Sequence, residues 1–142
     1  MKIEEVKKSD LSEIDGMIKK EFDYTKGKMD PIEDRFKDPD NVFLKAVEGA
    51  YILGFIEYKL LIDRAFILGL AVHESERGKG IGEALLNEAL RRIHEKKIRH
   101  IELYVRRENT AAIKLYLNAG FKFRKRLPKK INNEIVDIMF LK

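Results

Sequence analysis

The sequence predicts an α/β fold built on a mixed, mostly antiparallel sheet with helices on both faces. Strand-like runs at residues 42–48 and 51–61 are joined only by Gly49-Ala50, which is too short for a helical crossover, so they form an antiparallel hairpin. Residues 65–72 form a nearly unbroken apolar strand, and a glycine-rich turn, an amphipathic helix and a strand at residues 98–105 follow. This order is a βαβ unit, whose two strands are parallel.

Length and composition predict one domain, residues 1–142. The chain is 44% hydrophobic and 37% charged, and no apolar run approaches the ~20 residues of a membrane span. Residues 1–4 begin with strand-like alternation and lack the apolar region of a secretory signal, so we expect a cytoplasmic location. The absence of cysteine excludes disulfides, thiolate zinc sites and cysteine nucleophiles.

The charge pattern favours anionic partners without naming one. The formal net charge is +5, and the densest basic run lies at residues 122–130. A basic edge strand discourages strand pairing, and no aromatic ladder accompanies this run in the sequence. We therefore expect no nucleic-acid partner. RNA binding through residues 122–130 is kept only as the weakest functional alternative.

The N-terminal third predicts a strand, two helices and a segment without a pattern. Residues 2–7 alternate as a strand, and Ser9-Asp10 supply a cap for the first helix. The pattern lapses at residues 24–29, and Pro31 suits the first turn of a short second helix. The expected apolar faces are Leu11, Ile14, Ile18 and Phe22 on the first helix, and Ile32 and Phe36 on the second.

The central motif is the glycine-rich turn Arg77-Gly78-Lys79-Gly80-Ile81-Gly82. Glycines leave space beside the main chain, and the first N–H groups of the following helix have no intrahelical partner, so an anion such as phosphate is the expected ligand. Arg77 and Lys79 add cationic side chains. The pattern fits neither a Walker loop nor the dinucleotide fingerprint. The alternative is a simple tight turn with solvated cations.

A second motif spans Asn109 to Phe121. Asn109 is placed to cap a helix, and Gly120 is placed to end it in the left-handed conformation. One helix face combines Ala112, Leu115, Tyr116 and Ala119. Two final strands, at residues 122–127 and 134–141, complete the sheet.

These two motifs resemble the GNAT superfamily of acyl-CoA-dependent N-acetyltransferases. Arg77-x-x-Gly80-x-Gly82 is similar to the family's pyrophosphate loop. Asn109-x-x-Ala112-x-x-Leu115-Tyr116 with Gly120-Phe121 is similar to its later cofactor and catalytic helix. The resemblance covers nearly the whole chain and implies a splayed sheet with the pyrophosphate loop inside the βαβ unit.

The resemblance also implies a role for each matching residue. Main-chain groups of Ala71 and Val72 would bond the pantetheine arm of acetyl-CoA, and the amides from Gly78 to Gly82 would hold its pyrophosphate. Asn109 would contact the pantetheine, unless it serves only as a helix cap. Tyr116 would lie near the sulfur as the catalytic residue, unless it is a core aromatic.

The resemblance supplies no catalytic base. At the two strand positions where many relatives have glutamate, this chain has Phe66 and Tyr104. Glu57, Glu102 and His73 could act through water, although a structural role suits each of them better. His94 and His100 lack metal-ligand spacing, and we expect no metal.

The sequence therefore predicts direct transfer of an acetyl group from acetyl-CoA to a primary amine. Because no base is evident, a peptide N-terminus or a small amine is favoured over lysine. The alternative from another class is a sensor that binds acyl-CoA without turnover. We expect no membrane partner, and a homodimer is compatible with the sequence. Acceptor specificity is expected at residues 24–41 and in the terminal hairpin, which contain no recognisable motif.

Overall fold

The computed structural model describes all 142 residues, and every predicted helix and strand is present, with the strand ends within two residues of the predicted bounds. The strands are β1 Lys2–Glu5, β2 Asn41–Glu48, β3 Tyr51–Leu60, β4 Arg64–Val72, β5 His100–Arg106, β6 Lys122–Arg126 and β7 Val136–Leu141. The helices are α1 Leu11–Glu21, α2 Ile32–Lys37, α3 Ile81–Glu95 and α4 Thr110–Asn118. Single 3₁₀ turns occupy Lys8–Asp10, Asp23–Thr25 and Glu74–Glu76.

All seven strands form one sheet in the order β1-β2-β3-β4-β5-β7-β6. Every neighbouring pair is antiparallel except β4 and β5, which are parallel and joined through α3. The structure thus confirms the predicted mixed, mostly antiparallel sheet and its central βαβ unit.

The parallel strands separate along their length. β4 and β5 pair only from Arg64 opposite His100 to Ile67 opposite Leu103. Beyond that point β4 continues along β3 and β5 continues along β7, so the two strands diverge. The pairing of β3 with β4 skips Leu68, which forms a β-bulge where the divergence begins. The sheet is therefore splayed, as predicted, and opens at the carboxyl ends of its parallel strands.

Helices cover the two faces of the sheet through separate hydrophobic cores. On one face, α3 buries Leu85, Leu86 and Ile93 against β3 and β4. On the other, α1 and α2 bury Ile14 and Ile32 together with side chains of β2 and β3. β4 was expected to be buried on both faces, but Phe66 is only partly buried because no helix covers its side of the sheet there.

Asp10 differs from its predicted role as a cap of α1. Its side chain makes no capping bond to that helix. The carboxylate instead accepts hydrogen bonds from the Lys7 main-chain N–H at 2.7 Å and from Lys45 Nζ at 2.6 Å. The buried Lys45 takes this carboxylate because its ammonium group needs a partner away from water.

No helix combines the length and the hydropathy that a membrane crossing requires.

Candidate active site

A cleft of about 590 Å³ lies where β4 and β5 separate. Its walls are the end of β4, the turn into α3 and one face of α4. Every predicted site residue except Lys79 lines it: Ala71, Val72, Arg77, Gly78, Gly80, Ile81, Gly82, Asn109 and Tyr116. The structure therefore brings together two motifs that are some thirty residues apart in the sequence.

The glycine-rich turn presents unpaired main-chain donors to this cleft. Gly78 and Gly80 have φ values of 80° and 79°, which side chains with a Cβ rarely adopt. The Ala84 N–H is the first in α3 to reach a carbonyl, that of Gly80 at 3.0 Å, and the amides of residues 78–83 donate to no main-chain carbonyl. These amides lie at the positive end of a 15-residue helix. The turn thus has the form of an anion cradle.

The two cations of the turn are already paired with carboxylates. The Arg77 guanidinium bonds Glu21 at the end of α1, and its Nε donates to the Val72 carbonyl at 3.3 Å. Lys79 Nζ lies 2.7 Å from Glu76. Both pairs are partly exposed and contribute little stability, so an anion could exchange with either carboxylate. The attraction for an anion thus begins with the amides rather than with free side-chain charges.

The register of β4 with β3 decides which main-chain groups of β4 face the cleft. The His73 N–H donates to the Leu53 carbonyl at 2.9 Å, and Phe55 lies opposite Ala71. Because main-chain groups alternate in direction along a strand, those of Ala71 bond β3, whereas those of Leu70 and Val72 point into the opening. Leu70 was not among the predicted site residues, and Ala71 lines the cleft without turning its main-chain groups towards it.

Gly54 allows this end of β4 to lie close to β3. A Cβ atom at Gly54 would approach the Ala71 carbonyl oxygen to 2.7 Å, well inside contact distance. The position of the β4 end thus depends on a residue without a side chain on the neighbouring strand.

Asn109 caps α4, as the sequence predicted. Its Oδ1 accepts a hydrogen bond from the Ala112 N–H at 3.2 Å. Its Nδ2 makes no hydrogen bond within the protein and lies at the cleft wall. Capping therefore leaves the Asn109 amide nitrogen available to a ligand.

Tyr116 is buried at the inner end of the cleft, with its ring 5.7 Å from that of Phe121. Its hydroxyl makes no hydrogen bond within the protein. Asn41 Oδ1 is the one polar side-chain atom that is both buried and unpartnered, so the Tyr116 oxygen must be open to the cleft. Burial raises the pKa of Tyr116 far above its usual value, and the neighbouring Tyr24 adds to that rise.

A family model described as the acetyltransferase (GNAT) family matches residues 9–121. The chain belongs to this family. The match includes both cleft motifs and the whole βαβ unit.

Individual GNAT relatives resemble parts of the chain. Spermidine N(1)-acetyltransferase of Thermoplasma acidophilum is 36% identical over 83 residues, which cover 58% of this chain and 52% of that protein. A ribosomal protein bS18 alanine N-acetyltransferase of Haemophilus influenzae is 32% identical over 78 residues, or 55% of this chain and 53% of that protein. The chain thus spans about half the length of these curated relatives.

Solved GNAT structures share the fold. The PaiA N-acetyltransferase of Thermoplasma acidophilum, solved in complex with coenzyme A, matches with a TM-score of 0.76 at 22% identity. The match covers 96% of this chain and 96% of that one.

The three side chains considered as bases are all held away from the GNAT cleft. Glu57 accepts hydrogen bonds from Arg35 Nε at 2.9 Å and from Asn41 Nδ2 at 2.9 Å, and burial raises its pKa against the effect of Arg35. Glu102 is buried and bonded by Arg124 and His100. His73 Nε2 lies 3.6 Å from Glu13. None of the three lines the cleft.

Glu21 is a cleft residue that sequence reasoning missed. It lies at the mouth of the cleft, paired with Arg77. A signal was present, because an acidic side chain in the last turn of a helix opposes the helix dipole. Such a local conflict often marks a functional position.

A second cavity of about 400 Å³, the front pocket, adjoins the cleft and shares Arg106 with it. The front pocket is lined by Asp23, Tyr24, Lys26, Arg106, Asn132 and Glu134. Asn132 Nδ2 donates to the Tyr24 carbonyl at 2.6 Å and to the Lys26 carbonyl at 3.1 Å, which ties the terminal hairpin to the segment after α1. The Arg106 guanidinium lies 5.1 Å from the centre of the Tyr24 ring.

Proposed function

We propose that this chain is an acetyl-CoA-dependent N-acetyltransferase that transfers the acetyl group directly to a primary amine. One observation carries the proposal: the unpaired amides of residues 78–83 and the open hydroxyl of Tyr116 line the same cleft at the splay of the sheet. The amides suit a pyrophosphate, and the Tyr116 hydroxyl suits the sulfur that leaves. We further propose that residues 1–142 act as one domain.

The residues of the cleft fit acetyl-CoA, which would supply an activated acyl group as a thioester. The amides of residues 78–83 would bond the pyrophosphate, and Arg77 would exchange Glu21 for it. Main-chain groups of Leu70 and Val72 would bond the pantetheine arm, and the Asn109 amide nitrogen would add a donor. An added Cβ at Gly78 or Gly80 would meet no atom within 4 Å, so the turn has open space beside it.

In the reaction, the neutral amine would form a C–N bond with the thioester carbonyl carbon, and the C–S bond would break. The nitrogen would lose a proton to water, and sulfur would leave as a thiolate that takes up a proton. A main-chain N–H at the end of β4 would stabilise the carbonyl oxygen. The Tyr116 hydroxyl would hydrogen-bond the sulfur as negative charge builds on it. Because burial raises the pKa of Tyr116, the tyrosine acts as a hydrogen-bond donor rather than by giving up its proton.

The acceptor we propose is a peptide N-terminus or a small amine of low pKa. At pH 7 a lysine of pKa ~10.4 loses its proton at a cost of about 4.6 kcal/mol, whereas an α-amine of pKa ~7.8 requires about 1.1 kcal/mol. No histidine lines the cleft, and neither Glu57 nor Glu102 does, so none of the bases considered is placed to assist. Glu21 at the cleft mouth and Glu134 in the front pocket would attract the ammonium form before it loses its proton.

The named relatives suggest two acceptor types, a polyamine and an alanine N-terminus. We therefore propose a thiol-release assay with acetyl-CoA and three acceptors at pH 7: a peptide with a free alanine N-terminus, spermidine, and a lysine peptide with a blocked N-terminus. We expect the highest kcat/KM for the free N-terminus. A higher kcat/KM for the lysine peptide would refute the acceptor class. Absence of thiol release with every amine, together with acetyl-CoA binding, would favour a sensor instead.

A further inference from the structure

One face of the C-terminal half of the sheet is not covered by any helix. On that face α1 and α2 pack against β2 and the end of β4, whereas α3 packs on the opposite face. Among the β5 side chains that point away from α3, Glu102 is buried, His100 is partly exposed and Tyr104 is 49% exposed. We call this open surface the aromatic shelf, formed by Arg64, Phe66, His100, Tyr104 and Phe140.

The strand register brings these residues together from three strands. Arg64 lies opposite His100, and Glu102 lies between Phe66 and Phe140. The Phe66 and Tyr104 rings are 6.3 Å apart in an edge-on arrangement. The Arg64 guanidinium lies 5.9 Å from the Phe66 ring centre, and the His100 ring stacks on Phe140 at 6.2 Å with an angle of 20°. The outer layer of the shelf is thus tyrosine, histidine and arginine.

A basic margin runs along one side of this shelf. Lys122 and Lys125 of the edge strand β6 lie on the shelf side, opposite Phe140 and Ile138. Both are exposed and neither forms an ion pair. Two carboxylates lie at the shelf: Glu102 is buried and held by Arg124 and His100, and the exposed Asp63 lies 3.7 Å from Arg64 Nε. Two unpaired lysines, Lys122 and Lys125, therefore lie beside flat, stacking side chains.

We propose that the aromatic shelf binds a short single-stranded nucleic acid. Phosphates would contact Lys122, Lys125 and Arg64, and bases would stack on Tyr104 and His100, since tyrosine and histidine rings and guanidinium planes all stack on bases. Tyr104 and His100 are four residues apart on one strand, about 13 Å at 3.3 Å per residue. That span suits roughly four nucleotides, the low end for a single-strand groove.

This chemistry distinguishes among anionic ligands. A duplex keeps its bases stacked inside and offers only phosphates, and an acidic peptide offers charge without a ring to stack. The basic run alone therefore predicts only a solvated edge strand. The aromatic residues of β4, β5 and β7 beside that strand are what favour a nucleic-acid ligand. No residue of the aromatic shelf lines the acetyl-CoA cleft, so acetyl-CoA should not compete.

The test is fluorescence anisotropy with a labelled 12-nucleotide oligouridylate, titrated with the full chain at 50 and 200 mM salt. Lys122→Glu with Lys125→Glu should weaken binding at least tenfold and lower the salt slope by about 1 to 2. Lys8→Glu with Lys96→Glu makes the same charge change on exposed lysines away from the shelf and should have a much smaller effect.

Tyr104→Ala should weaken binding about 5- to 100-fold, whereas Tyr104→Phe keeps the ring and should retain affinity. A melting curve of each variant checks that it is folded. Equal binding of a duplex of the same length, or no effect of Tyr104→Ala, would overturn the proposal. Equal displacement by polyglutamate would assign the surface to an acidic protein instead. Saturating acetyl-CoA should leave the affinity unchanged, and competition by acetyl-CoA would place the oligonucleotide in the cleft.

Discussion

The cleft and the front pocket, the two sides of the active-site region, are lined by different groups: main-chain groups in the cleft and side chains in the front pocket. The side that we propose for acetyl-CoA consists largely of main-chain groups, namely the amides of residues 78–83 and the β4 groups of Leu70 and Val72. The front pocket consists of side chains on irregular segments, and Asn132 joins those segments across more than a hundred residues of sequence. A site made of main chain depends on rigid strands and helices, whereas a site made of side chains depends on how loops are held.

The largest expected effect lies where the two sides meet. Tyr116→Phe should lower kcat about ten- to thousandfold with little change in acetyl-CoA affinity. We propose that the hydroxyl acts only as charge builds on sulfur, so its loss should affect the transition state rather than binding. Steady-state kinetics and a direct binding titration measure the two quantities separately. Near-normal turnover with intact binding would make Tyr116 a core residue.

The next effect concerns the rigidity of the acetyl-CoA side. Gly54→Ala should lower the free energy of unfolding by about 1–3 kcal/mol, because the added methyl group meets the Ala71 carbonyl of the adjacent strand. Denaturant unfolding measures the change. Gly16→Ala is the control, since Gly16 lies in α1 with no atom within 4 Å of an added Cβ and alanine favours a helix. Equal stability of Gly54→Ala and the parent would mean that β4 can move away from β3.

This difference between a main-chain site and a side-chain site also explains which features the sequence could predict. Gly78 and Gly80 are recognisable in the sequence because few other residues adopt their main-chain conformation. Asn109 is recognisable because it caps a helix. The β4–α3–β5 order likewise follows from local patterns. The contacts of Asn132 with Tyr24 and of Arg77 with Glu21 connect distant segments through side chains, and nothing local specifies them.

The same reasoning accounts for two further differences. Ser9-Asp10 has the pattern of a cap, but the buried Lys45 competes for the Asp10 carboxylate from a strand that the pattern cannot include. The direction of the Ala71 main chain depends on its register with Phe55, and a β-bulge at Leu68 precedes that pairing. Local periodicity does not locate a bulge.

The smallest predicted effect tests how the front pocket is held. Asn132→Gly keeps the left-handed main chain and removes both side-chain hydrogen bonds, so the KM for the amine should rise about 2- to 12-fold, as loss of a typical hydrogen bond implies. Acetyl-CoA affinity should stay the same. Asn133→Gly is the matched control, because Asn133 also has a positive φ but makes no side-chain hydrogen bond. Equal KM values for the two variants would mean that the bridge does not shape the acceptor site.

The most direct test of the central claim is thermal unfolding with and without acetyl-CoA for the parent, Gly82→Ala and Gly82→Asp. A Cβ at Gly82 would lie 3.5 Å from Leu115, an ordinary contact, so alanine fits and only aspartate places negative charge beside the amides. Acetyl-CoA at a hundred times its Kd should stabilise the parent by about 2.7 kcal/mol. We predict that Gly82→Ala keeps most of this gain and that Gly82→Asp folds but loses it. Equal stabilisation of Gly82→Asp and the parent would show that the amides of residues 78–83 do not hold acetyl-CoA.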